Sequence, residues 1–443
     1  MRSRWAVAAP LLVLAACSDG GTEPDPVVDT IVLDFCSDEV PLWFAYQNAG
    51  GDWTRVLPSA DGAFEFDASE RVTVATVTED ARGILTDIYY TTATELGPLS
   101  DRACVERLGS KTINGSVANV ATDEQARVAM AGAEAVVTPP PSTFQLLGVA
   151  DGPQDVVAHR EVDDFGFMVP DRVIIRRAQS FTNGATMPVL DFGTTTSDPV
   201  AVNTATISGL AAGETNYLDV YFNTALGTLD TLYLAPLFGT ASQTIYAVPA
   251  TLTQSGDLHR LYLTAETAFM DAYRSVSHWY RTPANKAVPL GPPLNNVQIG
   301  SVASNPYLRL RAQVNSQSEY GSFASAFFIQ NMTSDTFREV YVTQTEGYTN
   351  GTPNVWTLEI PDLRDAGGYP VDAGLVSGNG TQWFVEAYDA SLADVIGATP
   401  TEGATARWAG RTSDVTLLRA EGSSPATRSR RPDALGTRAL SRR

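Results

Sequence analysis

Three histidines, His159, His259 and His278, are the only imidazoles in this 443-residue chain that could act as general bases. A nucleophilic serine needs such a base within hydrogen-bond reach, and none of the three stands beside a recognisable nucleophile motif. Gly374-Leu375-Val376-Ser377-Gly378 is the nearest approach to a nucleophile elbow, and its spacing is wrong. Zinc hydrolysis asks for His-Glu-x-x-His or three converging ligands, which three scattered histidines do not offer. Phosphate-cradling glycine loops are missing from the sequence as well. Calcium would want clustered oxygen ligands. Asp163, Asp164 and Asp171, or Asp362 and Asp365, are the best groupings, and their spacing fits solvated turns better than a metal loop. Paired carboxylates can hydrolyse glycosides without any short motif, and fifty acidic residues make close pairs inevitable. Flat aromatic rings offer binding instead of catalysis, because an exposed row of them stacks on sugar rings. Trp43, Tyr46, Trp53, Tyr89 and Tyr90 crowd into one short stretch. Alternation puts Phe44 and Tyr46 on the face of Leu42, which leaves Trp43 and Trp53 as the expected ligand platform. Trp356, Trp383 and Trp408 sit in well-alternating strands and are read as core.

The cysteines carry a different chemistry. Arg2 and Arg4 precede an apolar run from Trp5 to Val13, the layout of an export signal and too short for the ~20 residues of a spanning helix. In an oxidising compartment Cys36 and Cys104 can pair; the alternative is two buried thiols. Leu14-Ala15-Ala16-Cys17, closing the signal, resembles the lipobox of bacterial lipoproteins. The resemblance implies that Cys17 is diacylated, becomes the mature amino end and fastens the chain to a membrane. Ser18 after it, where that family uses Asp for retention, implies sorting to the outer membrane.

Composition narrows the partners. The formal net charge is −20; removing the signal (+2) and the stretch after Ala420 (six Arg against Glu421 and Asp433, +4) leaves −26 for residues 17–420. Such a body repels nucleic acid, whose phosphates are neutralised by cations. Residues 421–443 are basic and poor in apolar side chains, and are expected to be disordered and to touch anionic head groups or the protein's own acidic face.

The elements that must position these groups are strands. Period-two alternation runs almost throughout from Thr30, with turns between short apolar stretches. Trp53 is expected opposite Tyr46 across the Asn48-Ala49-Gly50-Gly51 turn. Residues 264–281 carry near-helical as well as alternating spacing, and a short helical turn leading into a strand is expected there. Pro283 to Pro293 reads as a linker, and Tyr307 to Val314 as a strand with one wet face. Gly-x-Val, Phe144-Gln145-Leu146-Leu147-Gly148-Val149 and Gly152-Pro153-Gln154-Asp155-Val156-Val157-Ala158 follow one another between residues 111 and 192. This succession resembles carboxypeptidase-regulatory-type β-sandwich domains, and implies a noncatalytic spacer there.

The expected fold class is therefore all-β, a series of consecutive β-sandwich domains of Ig-like or transthyretin-like kind. The expected organisation is 1–16 signal peptide, 17–29 lipidated flexible tether, 30–107 first sandwich, 108–193 carboxypeptidase-regulatory-like domain, 194–290 third domain, 291–420 fourth domain and 421–443 disordered basic tail. The expected role is a noncatalytic binding or spacer module at the cell envelope. No cofactor, metal or catalytic residue is expected. Its partners are the membrane through Cys17 and an envelope protein or glycan, without nucleic acid. The alternative is an envelope hydrolase of glycosidase type working through paired carboxylates.

Overall fold

The computed structural model describes residues 29–33, 35, 40–60, 62–80, 83–100, 109–164, 167–237, 240–332, 336–396 and 401–417. Cys17, Cys36 and Cys104 lie outside the described residues, as do the 421–443 tail and nearly all of the 17–29 tether. What is described is almost wholly β, arranged in several sheets with a few short helices.

The dominant element is one twelve-stranded sheet. Its order across the sheet is Leu229–Leu237, Thr215–Asn223, Leu258–Glu266, Ala272–Tyr280, Thr405–Leu417, Thr381–Tyr388, Phe323–Asn331, Phe337–Thr345, Gly83–Thr92, Arg71–Asp80, Trp43–Asn48 and Thr54–Val56. Neighbours pair antiparallel except at one junction, where Phe337–Thr345 runs parallel to Gly83–Thr92 with Phe337 opposite Gly83. That junction admits only glycine at 83, because a Cβ there would fall 1.9 Å from the Phe337 carbonyl oxygen. Strands from the stretches 30–107, 194–290 and 291–420 thus share one hydrogen-bonded sheet. The sequence signals that suggested separate sandwiches mark turns, and turns interrupt a strand without ending a sheet.

Smaller sheets cover it. On the front face, Val297–Ala303, Arg309–Asn315 and Val355–Glu359 form a layer over the middle, and the core between contains Trp43, Ile88, Leu310, Val342 and fully buried Trp356. Toward the other edge, the layer Ser242–Ala247, Ala201–Ser208 and Lys286–Pro289 packs on Val220, Leu261, Leu263 and Val276. On the back face, the two-stranded Asp29–Leu33 and Phe64–Ala68 sheet lies against Phe44, Val72 and Val74. Each large side chain so buried contributes about 1.5–3 kcal/mol of transfer free energy, which is why alternation here marks two interiors and not an interior and a wet face.

The stretch 109–199 makes its own sandwich. A three-stranded sheet (Thr143–Val149, Lys111–Ala118, Leu190–Asp191) faces a five-stranded one (Asp198–Pro199, Phe167–Gln179, Gln154–Asp164, Gln125–Met130, Ala133–Val137) across Ile113, Val128, Leu146, Val156 and Phe192. The outer side of the five-stranded sheet is buried too, because Val157 and Val173 join the core built around Val220 and Leu261.

Two local expectations change. Residues 264–281 form a β-hairpin, Leu258–Glu266 into Ala272–Tyr280, with a tight turn in which the Met270 amide donates to the Thr267 carbonyl at 2.9 Å. The near-helical spacing of Phe269, Met270 and Tyr273 arises because the first two stand outside at the turn while Tyr273 is buried. Across the first hairpin Tyr46 faces Thr54, so Trp53 precedes the paired strand by one residue.

Candidate functional site

The expected aromatic platform is not at the surface. Trp43 is 2% exposed, donates its indole N–H to the Gly367 carbonyl at 3.1 Å and meets Tyr369 edge-on at 5.1 Å. Its strand has cores on both faces, so the residue judged to point outward points into the second of them, while Leu42, expected inside, is exposed. Trp53 is half-buried and packs against the same core.

Rings facing outward occur elsewhere, on the back face at the opposite end of the large sheet. In Thr215–Asn223, Leu218, Val220 and Phe222 are buried on the front, so Tyr217, Asp219 and Tyr221 project from the back. Register sets them opposite Thr264, Tyr262 and Arg260. Tyr217 is exposed, and Asp219, Tyr221 and Tyr262 are half-buried. The buried Arg260 guanidinium lies over the Tyr221 ring, 4.4 Å from its centroid, and 5.6 Å from that of Tyr262. The Tyr221 hydroxyl donates to Asp219 at 3.3 Å. From Tyr262 the rings continue into the sheet: Trp408 at 5.7 Å, Tyr388 at 5.9 Å from Trp408, and Phe323 stacked on Tyr388 at 4.2 Å. Beyond them the hydroxyls of Tyr273 and Tyr388 donate to the Glu386 carboxylate.

The electrostatics mark the outer end of this row. Burial pushes the Asp219 carboxyl up to about 6, against the Tyr221 hydrogen bond and the Arg260 charge, which pull it down. Burial also lowers Arg260 from its usual value, opposed by Tyr221, Tyr262 and Asp219, and its Nε–H has no acceptor. Exposed Tyr217, the half-buried rings of Tyr221 and Tyr262 and the Asp219 carboxyl suit contact with a polyhydroxylated ligand by stacking and hydrogen bonding, with buried Arg260 fixing the rings from behind.

The residues weighed for catalysis are occupied otherwise. Buried His159 shares Glu161 with Arg127, each at 2.9 Å. Burial works against the Glu161 charge, yet His159, Gln125 and Arg127 outweigh it and hold the carboxyl below its usual range. His259 accepts the Val248 amide at 2.9 Å and stacks on Tyr280, and burial brings it down to about 4. His278 meets the Thr405 hydroxyl at 3.0 Å. Arg160 holds Asp171, and Arg364 and Arg309 hold Asp362, so arginines stand where a cation would. Among the described residues no three His, Cys, Asp or Glu converge as a metal site.

One polar cluster joins the 109–199 sandwich to the large sheet. Arg177 bonds buried Asp155 at 2.8 Å and reaches across to buried Asp257 and to the Leu252 carbonyl at 2.6 Å. Asp257 also accepts the amides of Ala225 and Gln254 at 2.9 and 2.8 Å, and Asp155 that of Ala178 at 2.8 Å. Sequence offered no sign of this pairing. For the Tyr217-Asp219-Tyr221 strip the signal was present as clean alternation, but which face was covered was not written in it.

No family model matches the chain, and no curated protein matches it. Among solved structures, the Bacillus anthracis TIE protein aligns with 81% of this chain and 69% of its own, at 9% identity and a TM-score of 0.14. Likeness at that level carries no argument about fold or function.

Proposed function

We propose that this chain is a lipid-anchored cell-envelope protein, held at the outer membrane through Cys17, that works as a noncatalytic binding and spacing module whose favoured ligand is a glycan. The observation that carries the reading is the back-face strip, where exposed Tyr217 and half-buried Tyr221 and Tyr262 lie with Asp219 around the buried Arg260. Spacing is supported by the shared twelve-stranded sheet and the Arg177 clamp, which leave the cores few places to hinge. Close carboxylates do occur, but Glu134 with Glu161 share Arg127, and Glu359 with Asp362 share Arg309. Hydrogen bonds and arginine charges hold Glu161 and Asp362 below the usual carboxylate range, whereas glycoside hydrolysis needs one carboxyl of a pair protonated. That chemistry speaks for binding over the hydrolase alternative.

A glycan array on the purified chain, repeated with Tyr217→Ala/Tyr221→Ala, tests the reading. Binding lost in the double variant, with the melting midpoint kept, supports it. An array with no binding, or binding indifferent to the double variant, rejects the strip as a sugar site. Release of reducing ends from any bound glycan would restore the hydrolase.

A further inference from the structure

The back-face strip has a spacing as well as a composition. Tyr217 and Tyr221 stand four residues apart on one strand, about 13 Å at ordinary strand rise. Tyr262 comes from the neighbouring strand. Register sets Tyr217 opposite Thr264 and Tyr221 opposite Arg260, so Tyr262 is the diagonal neighbour of both, about 7–8 Å away backbone to backbone. The three rings therefore step in a zigzag along the strand direction, with Asp219 directly opposite the middle one. No single sugar ring reaches across that span.

Two of the rings are held in place before any ligand arrives. The buried Arg260 guanidinium lies 4.4 Å from the Tyr221 centroid and 5.6 Å from that of Tyr262. Trp408 packs on Tyr262 as well, at 5.7 Å. A ring already fixed gives up little freedom when a ligand stacks on it, so such contacts are retained as affinity.

Charge narrows the ligand further. Asp219 accepts the Tyr221 hydroxyl on Oδ2 at 3.3 Å, and its Oδ1 has no donor among the described residues. A carboxylate oxygen so placed accepts a hydroxyl and repels another anion. Of the two charged groups in the strip Arg260 is buried and Asp219 half-buried, so an approaching ligand meets the acid first. With its carboxyl at about 6, Asp219 is mostly ionised at pH 7. At longer range the net −26 of residues 17–420 opposes a polyanion.

We infer that the ligand of this strip is a neutral, linear oligosaccharide segment lying along the strand from Tyr217 to Tyr221, its sugars stacked on the three tyrosines and one hydroxyl bonded to Asp219. The inference rests on the glycan reading above and narrows it, from sugars in general to an uncharged chain recognised over several units.

Calorimetric titration of the full chain at pH 7 tests it, with cello-, manno- and xylo-oligosaccharides from monosaccharide to hexasaccharide and oligogalacturonates of the same lengths as charged counterparts. Affinity for a neutral series should rise by up to about tenfold with each added sugar until the three rings are covered, and then level off. Tyr217→Ala removes an end ring and should bring the levelling at a shorter chain, with the melting midpoint kept. Asp219→Asn removes the charge, keeps an acceptor and should narrow the gap between neutral and acidic chains. The inference is overturned, with the strip still a sugar site, by a monosaccharide bound as tightly as the hexasaccharide or an oligogalacturonate bound more tightly than every neutral chain. A levelling point unmoved by Tyr217→Ala, or a gap unmoved by Asp219→Asn, overturns it in the same way. Absence of binding in every neutral series overturns it too, and the array with the double variant decides whether the glycan reading falls with it.

Discussion

Replacing Arg177 with alanine removes the cation that bonds two buried carboxylates. Asp155 and Asp257 have side chains 3% and 0% exposed, and both keep their amide donors after the substitution. Neither can turn to water without giving up those bonds. Breaking one buried ion pair by deleting a partner costs about 3–5 kcal/mol, and here two acids lose the same partner and repel each other. The Leu252 carbonyl loses its donor as well, another ~1 kcal/mol. Urea unfolding at pH 7 should therefore show Arg177→Ala destabilised by about 4 kcal/mol or more, with the 109–199 sandwich opening before the large sheet. Arg177→Ala/Asp155→Asn/Asp257→Asn should recover much of the loss at pH 7, because amides are not charged. A loss below about 1 kcal/mol, or a triple variant no more stable than Arg177→Ala, would refute the claim that these charges clamp the two parts together.

Three further outcomes follow from single groups. Burial holds His259 at about 4, below the 6.5 of an unfolded histidine, so its neutral form contributes stability that is complete above pH 6.5 and lost as pH falls toward 4. The difference is about 3 kcal/mol, and a stability-against-pH comparison with His259→Gln should remove the slope in that window. Asp219 runs the other way: raised from 3.8 to about 6, its contribution is complete below pH 3.8 and lost as pH rises through 6. Asp219→Asn should consequently stabilise the protein by about 1–3 kcal/mol at pH 7.5 and by almost nothing at pH 3.5, as read by denaturant midpoints. At Gly410 a Cβ would lie 2.3 Å from the Tyr273 ring, so Gly410→Ala should displace that ring from Glu386 and cost about 1–3 kcal/mol, visible in the near-ultraviolet dichroism of the aromatic row.

Strand identity was legible because period two survives burial. Tyr307 to Val314 was read as alternating, and Leu308, Leu310, Ala312 and Val314 are buried while Arg309, Arg311 and Gln313 are not. Pairing was not legible. Nothing near Gly83 announces that Phe337, more than two hundred residues away, lies alongside it, since a strand's pattern says how it faces and not what it lies beside. The same limit misplaced the aromatic platform: Trp43 and Phe44 alternate correctly, but a sheet covered on both sides buries both. Arg177 illustrates a third gap, because ion pairs between distant segments leave no periodicity at all. Tyr217, Asp219 and Tyr221 could be seen to share a face, and only the uncovered back of the sheet makes that face available.

The account rests on an exported chain fastened by its amino end, and the mass of the mature amino-terminal peptide from the native host measures this directly. The account predicts a peptide that begins at Cys17 and carries a diacylglycerol. A peptide beginning elsewhere, or an unmodified cysteine on freely soluble protein, would contradict it.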